Sequence, residues 1–254
     1  MTSVAAARPT SLDPVRVVTR HLQHDDAVIR CAAARALGAL ADQRAAPDLI
    51  QALRDEDPDV RTDSMAALVH CARPEDANAI RDSLIGDPVN EVKVAAIEAL
   101  ARLGDHDSIP LLRLLVRDRA EDQIAWEDDD GFDPWLDIQI EAIGALGDLG
   151  AAEAIDDLLE ARVDELGQDL DLEVFRALAR IPEGINGLLR ILGDRDPRVR
   201  RRALEALSAA GPESLAPLRN LIRSDRSPEV RALAITCLAP DDPAVRTLAL
   251  DDPA

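Results

Sequence analysis

Aromatic side chains are nearly absent. The 254-residue chain has no tyrosine, and its only aromatics are Trp126, Phe132, Trp135 and Phe175. Ala, Leu, Ile and Val must therefore fill almost the whole interior. Ala and Leu are also the strongest helix formers, which points to helices packed closely on small residues. Lysine is rarer still, with Lys93 alone beside 28 Arg. Cysteine is limited to Cys31, Cys71 and Cys237, odd in number and far apart. That spacing argues against a disulfide framework and for buried thiols in a reducing compartment. No run approaches the roughly 18 apolar residues that span a bilayer, and residues 1–11 are too short for a secretory signal. The expectation is a cytoplasmic protein with no membrane insertion.

What the chain has in excess is negative charge. It carries 34 Asp and 15 Glu against 29 basic residues, a net charge of −20. The composition resembles that of salt-in halophiles, whose acidic surfaces stay hydrated in concentrated salt. In molar salt the screening length falls to roughly 3 Å, and the self-repulsion of such a chain disappears. A halophilic cytoplasm is the expectation.

A repeat runs the length of the chain. Its anchor is an apolar residue, usually followed by Arg or Lys. The anchors are Ile29, Val60, Val92, Ile138, Leu170, Val199 and Val230. Eight residues beyond each stands a leucine: Leu37, Leu68, Leu100, Leu146, Leu178, Leu207 and Leu238. Position seven is small, reading Ala36, Ala67, Ala99, Ala145, Ala177, Ala206 and Cys237. Apolar residues at offsets 0, 5 and 8 with small ones at 7 describe one helix face, to which a neighbouring backbone can come close. Amphipathic stretches lie between these helices, at Pro47–Leu53, Ile80–Leu84, Ile109–Val116, Ile155–Leu159 and Ile185–Leu192. Each unit is a helical hairpin that cannot bury its apolar faces alone, so the units must stack.

The turn before the second helix reads Asp57-Pro58-Asp59-Val60-Arg61, Asp196-Pro197-Arg198-Val199-Arg200 and Ser227-Pro228-Glu229-Val230-Arg231. Asp or Ser there caps the helix, and Pro in its first turn costs no hydrogen bond. Together with Ala36-Leu37-Gly38 and Ala145-Leu146-Gly147, these residues resemble HEAT repeats of the bilin-lyase-like subtype. The resemblance covers residues 12–250. It implies an all-α, right-handed α-solenoid of about seven hairpins, a single domain over residues 1–254. The stretch from Asp242 to Leu250 begins an eighth motif and reads as a truncated C-terminal cap.

Two features interrupt the regularity. The spacing from Val92 to Ile138 exposes an insertion at Arg117–Trp135, which holds three of the four aromatics and a dense acidic run. Long loops in a regular array are often functional. Trp126, Asp128, Asp129, Asp130, Phe132 and Trp135 are the candidate partner-binding residues. The alternative is that the two tryptophans fold the loop back onto the solenoid. Charge breaks at the same place: residues 118–173 carry 20 acidic and two basic residues, and residues 174–231 carry 12 Arg against seven acidic residues. Arg195, Arg198, Arg200, Arg201 and Arg202 form a secondary basic surface. The residue after each anchor follows the break too, as Arg30, Arg61 and Lys93, then Gln139 and Asp171, then Arg200 and Arg231. In HEAT arrays this residue often pairs with turn carboxylates of neighbouring repeats, so its loss in repeats four and five marks them out.

Catalytic chemistry is not evident. Asp128-Asp129-Asp130-Gly131-Phe132-Asp133 lacks the alternating ligand order and distal Glu of a calcium loop. His21 and His24 have no third metal ligand in view. Deoxyhypusine hydroxylase shares this type of fold but uses His-Glu pairs, and here Leu22, Asp25, Cys71 and Asp107 follow the four histidines. No metal, no cofactor and no enzymatic activity are expected. The expected function is a non-enzymatic protein-binding scaffold or adaptor. The resemblance extends to adaptors of archaeal chemotaxis and motility. The alternatives are a bilin-lyase-like chromophore-handling protein and a HEAT-like nucleic-acid binder using the arginine cluster. Self-association is compatible with all of them.

Overall fold

The computed structural model describes residues 13–126, 135–162, 167, 169–211 and 224–237. Each anchor falls in the first turn of a helix or immediately before it. The second helices of the hairpins are α2 (Ala27–Leu40), α4 (Pro58–Cys71), α6 (Asn90–Leu103), α8 (Trp135–Asp148), α10 (Asp171–Arg180), α12 (Pro197–Ala209) and α13 (Pro228–Cys237). The first helices are α1 (Pro14–Thr19), α3 (Ala46–Ala52), α5 (Ala77–Gly86), α7 (Ile109–Arg117), α9 (Ile155–Glu160) and α11 (Gly184–Ile191). The eighth motif, the expected C-terminal cap, lies outside the described residues.

Local chemistry sets the helix starts. Asp26, Asp57 and Asp196 accept the N2 amides of Val28, Asp59 and Arg198 at 2.9, 2.9 and 2.8 Å. Pro58 and Pro197 follow two of these caps, where the missing N–H is no loss. Three residues before the anchor, where the repeats above carry a capping Asp, the third and fourth repeats hold Val89 and Trp135, both buried. An apolar side chain there turns inward.

The position-eight leucines from Leu37 to Leu207 and the position-five residues from Ala34 to Leu204 are buried. Each buried leucine contributes about 1.5–3 kcal/mol. Position seven is where neighbouring second helices meet. A Cβ added to Gly38 would lie 3.0 Å from the Ala67 Cα, and one added to Gly147 would lie 2.7 Å from the Ala177 Cα. Glycine facing alanine lets the two backbones approach.

The chain divides into two compact units, Met1–Leu103 with Ala125–Glu127, and Gly104–Ile124 with Asp128–Ala254. The boundary between the units falls between the third and fourth hairpins. In the first unit α4 packs against α2 and α6, with α3 on α4 and α5 on α6. In the second unit α8, α10, α12 and α13 pack in succession, with α7 on α8 and α11 on α10 and α12.

Candidate functional site

The residue after each anchor builds a ladder that ties helix to turn. Arg30 donates to both carboxylate oxygens of Asp55 at 2.8 and 2.7 Å, and to the carbonyls of His24 and Asp25. Arg61 repeats this on Asp87 and on the carbonyls of Asp55 and Glu56. Arg200 repeats it on Asp225 and on the carbonyls of Asp194 and Arg195. Each guanidinium fork holds its own turn and the carboxylate of the next repeat. The carboxylates also close their own turns, Asp55 accepting from Asp57 N–H and Asp225 from Ser227 N–H. Burial raises the Asp225 pKa, but the bonds from Arg200 and Ser227 outweigh it and hold the carboxyl below its usual range.

Where the sequence departs from this pattern, so does the ladder. Lys93 is buried, and its ammonium donates to the Asp87 carbonyl. Gln139 donates to the Val116 carbonyl at 2.8 Å. At Asp171 the polarity reverses: this buried carboxylate accepts from Arg162 at 2.5 Å, and Arg202 lies 3.6 Å away while bonding Asp169.

The tryptophans expected as docking anchors are used internally. Trp135 is the first residue of α8 and is 3 % exposed, with the Arg119 guanidinium 5.5 Å from its ring centroid. As an exposed anchor it is therefore corrected: it belongs to the core of the second unit. Trp126 is half-buried, with Lys93 Nζ 5.3 Å from its ring centroid. Beside it, Ala125 N–H donates to the Ile85 carbonyl at 2.9 Å, fastening this strand of chain to the end of α5. Asp128, Asp129, Asp130 and Phe132 lie outside the described residues, as does the calcium-like sequence. The signal for Trp135 is its register: it stands three residues before the anchor, as buried Val89 does in the preceding repeat, and it opens α8.

The arginine cluster also separates. Arg200 is buried in the ladder, so as a member of a basic surface it is corrected. Arg202 is committed to Asp169. Arg201 lies 3.9 Å from Glu205 and is half-exposed. Arg195 and Arg198 are exposed and have no ionic partner among the described residues. Sequence reasoning missed a groove between α2 and α4, where clefts of about 300 and 470 Å³ flank the Arg35–Asp63 ion pair. Val28, 70 % exposed, stands at its mouth.

Among the described residues, no group of three His, Cys, Asp or Glu could hold a metal. Burial pushes the Cys31 thiol up to about 11, which makes it a poor nucleophile. His21 bonds the Val17 carbonyl and His24 accepts the Asp26 amide, so each ring serves its own turn. Among the described residues, no helix is long and apolar enough to cross a membrane.

Stacked hairpins tied by an Arg–Asp ladder define a class of repeat protein, and comparison with known families agrees. The HEAT-repeat model matches residues 5–69, 46–127 and 168–239, more than half of the chain, which belongs to the HEAT-repeat family. The PBS lyase HEAT-like repeat matches residues 138–164. A comparison with curated proteins gives no match. Among solved structures, the chain is similar to the complex of CpcE and CpcF of phycocyanin lyase from Nostoc sp. PCC7120. The identity is 20 %, with 98 % of both chains covered and a TM-score of 0.55. It also aligns with human deoxyhypusine hydroxylase at 23 % identity and TM-score 0.38, covering 88 % of this chain and 83 % of that one. A designed armadillo-repeat protein in complex with the peptide (KR)4 aligns at 17 % identity and TM-score 0.41, covering 89 % and 100 %. At these identities the likeness concerns the fold.

Proposed function

We propose that this HEAT-repeat chain is a non-enzymatic, cytoplasmic scaffold that docks a protein partner through the acidic segment between its two tryptophans. The observation that carries the reading is how the flanks are held. Trp126 stacks on Lys93 in the first unit, and Trp135 is buried with Arg119 over its ring in the second. Both ends of the segment are fixed by rings that no longer need to reach a partner. Asp128, Asp129, Asp130 and Phe132 are left as the docking residues, the carboxylates orienting the partner and Phe132 anchoring it. The resemblance to archaeal chemotaxis and motility adaptors suggests a signalling protein as partner.

The test is recovery of a defined partner from native high-salt lysate by wild type and by a variant carrying Phe132→Ala, Asp128→Asn, Asp129→Asn and Asp130→Asn. Recovery should fall at least tenfold, the equivalent of about 1.4 kcal/mol, with helicity unchanged. Equal recovery places the interface elsewhere. The match of residues 138–164 to the PBS lyase HEAT-like repeat favours bilin handling as the second reading. A shift in bilin absorbance on mixing with the protein would support it.

A further inference from the structure

The first hairpin leaves open a row of apolar side chains that the second hairpin buries. The row follows from how second helices meet. Position nine of one helix faces position seven of the next, as Gly38 faces Ala67. Position seven therefore looks toward the preceding repeat, and the anchor and position eleven lie on the same side of the helix. On α4 these residues are Val60, Ala67 and Cys71, all buried. On α2 they are Ile29, Ala36 and Leu40, and no second helix precedes them among the described residues. Ile29 and Ala36 are half-buried, and Leu40 is 41 % exposed. Val17, on α1 of the same hairpin, is 37 % exposed. A terminal repeat ordinarily turns a polar face outward, and this row holds no polar residue.

We infer that the chain's own residues 1–12 cover this row and close the first hairpin against association with other proteins. The argument rests on where that segment joins the described structure. Arg44 donates to Asp13 at 2.7 Å and to Asp42, two residues past Leu40, at 2.7 Å. The segment is thus tethered at the Leu40 end of the row. From Leu40 to Ile29 the row runs about 17 Å, at about 1.5 Å per residue. Twelve residues span about 18 Å as a helix and up to about 40 Å extended, so the whole row is within reach. The composition fits as well. Val4, Ala5, Ala6 and Ala7 are consecutive, apolar and mostly small, which suits close approach to Ala36. Residues 1–12 hold no acidic residue, in a chain of net charge −20. A second copy offers an apolar row too, but it must arrive from solution. A short tether holds its segment at an effective concentration in the millimolar range, about a thousandfold above a micromolar protein. The row and its tether lie in the first hairpin, so the inference stands or falls separately from docking through residues 127–134.

Hydrogen exchange of the full chain, read by mass spectrometry, tests the inference. Amides of residues 4–8 should exchange at least about tenfold slower than in a free peptide of the same sequence, at about 5 and about 50 µM protein alike. Leu40→Asp places a charge on the row at a site already open to water, and it should return those amides to the free-peptide rate. Val4→Asp should do the same from the other side of the contact. In both variants, helicity and the exchange of α4 and α6 should match the wild type. Free-peptide rates in the wild type would overturn the inference. So would protection that survives Leu40→Asp with the helices intact. Protection that grows with concentration, with a sedimenting mass near twice 27.4 kDa, would assign the row to a second copy and overturn it as well. Should Leu40→Asp lose helicity, Val4→Asp, which changes none of the described helices, decides alone.

Discussion

Replacing Arg200 with methionine isolates the ladder energetically. The Arg200 side chain is 11 % exposed and that of Asp225 3 %. The substitution removes a bidentate pair at 2.9 and 2.7 Å, and it also strips the Asp194 and Arg195 carbonyls of their donor. Methionine keeps most of the apolar contact, so the loss is chiefly electrostatic. Removing one partner of a buried pair strands the other charge and costs about 3–5 kcal/mol. The adjacent Arg201 is the control. Its 3.9 Å contact with Glu205 is half-exposed, and Arg201→Met should cost about 0.3–0.5 kcal/mol. Urea denaturation followed by circular dichroism at neutral pH measures both. The pH dependence gives a second reading. Asp225 is held below its usual range, so its contribution is complete above the unfolded carboxylate value of about 3.9. It is lost as pH falls through the folded value. The Arg200→Met penalty should therefore shrink below about pH 4. Equal, small penalties for Arg200→Met and Arg201→Met, unchanged with pH, would refute the idea that the ladder joins the repeats.

The close helix approach makes Gly147→Ala costly, about 1–3 kcal/mol. Gly144→Ala, whose Cβ would meet nothing nearer than Arg180 at 4.0 Å, should be neutral or slightly stabilising; thermal melts compare the two. Trp135→Ala should destabilise by about 3–5 kcal/mol as a core truncation. Trp126→Ala, losing a half-buried stack on Lys93, should cost under about 2 kcal/mol. Helicity and melting temperature should rise between about 0.1 and 2 M KCl as the repulsion within residues 118–173 is screened, and equal stability at both would remove the halophilic reading.

The helices were legible because their signals are local and repeated. Each leucine eight residues past an anchor must face inward whatever the neighbours do, and the 46-residue gap between Val92 and Ile138 is the largest departure from the repeat spacing. The ladder was legible as a position, since Arg30, Arg61 and Arg200 share it. Arg200 stands among exposed arginines in sequence, but its register, one residue past the anchor, places it in the ladder. Trp135 adjoins the loop in sequence, although its register three residues before the anchor places it in α8. Charge totals do not distinguish Arg198 and Arg176, which make no ion pair among the described residues, from Arg202 and Arg180, which pair with Asp169 and Asp148.

The reversed rung at Asp171 bears on how such a chain can change length. In the first unit, deleting residues 30–60 brings Arg61 to the place of Arg30, with its own carboxylate Asp87 still ahead of it. A repeat there can be lost or duplicated and the rungs close again. Deleting residues 171–199 instead brings Arg200 to the place of Asp171, opposite Arg162, and strips Arg202 of its buried neighbour. Two guanidinium groups then face each other where a carboxylate had stood between them. Lineages of this protein should gain and lose whole hairpins among the first three repeats, while the span around Asp171 keeps its length.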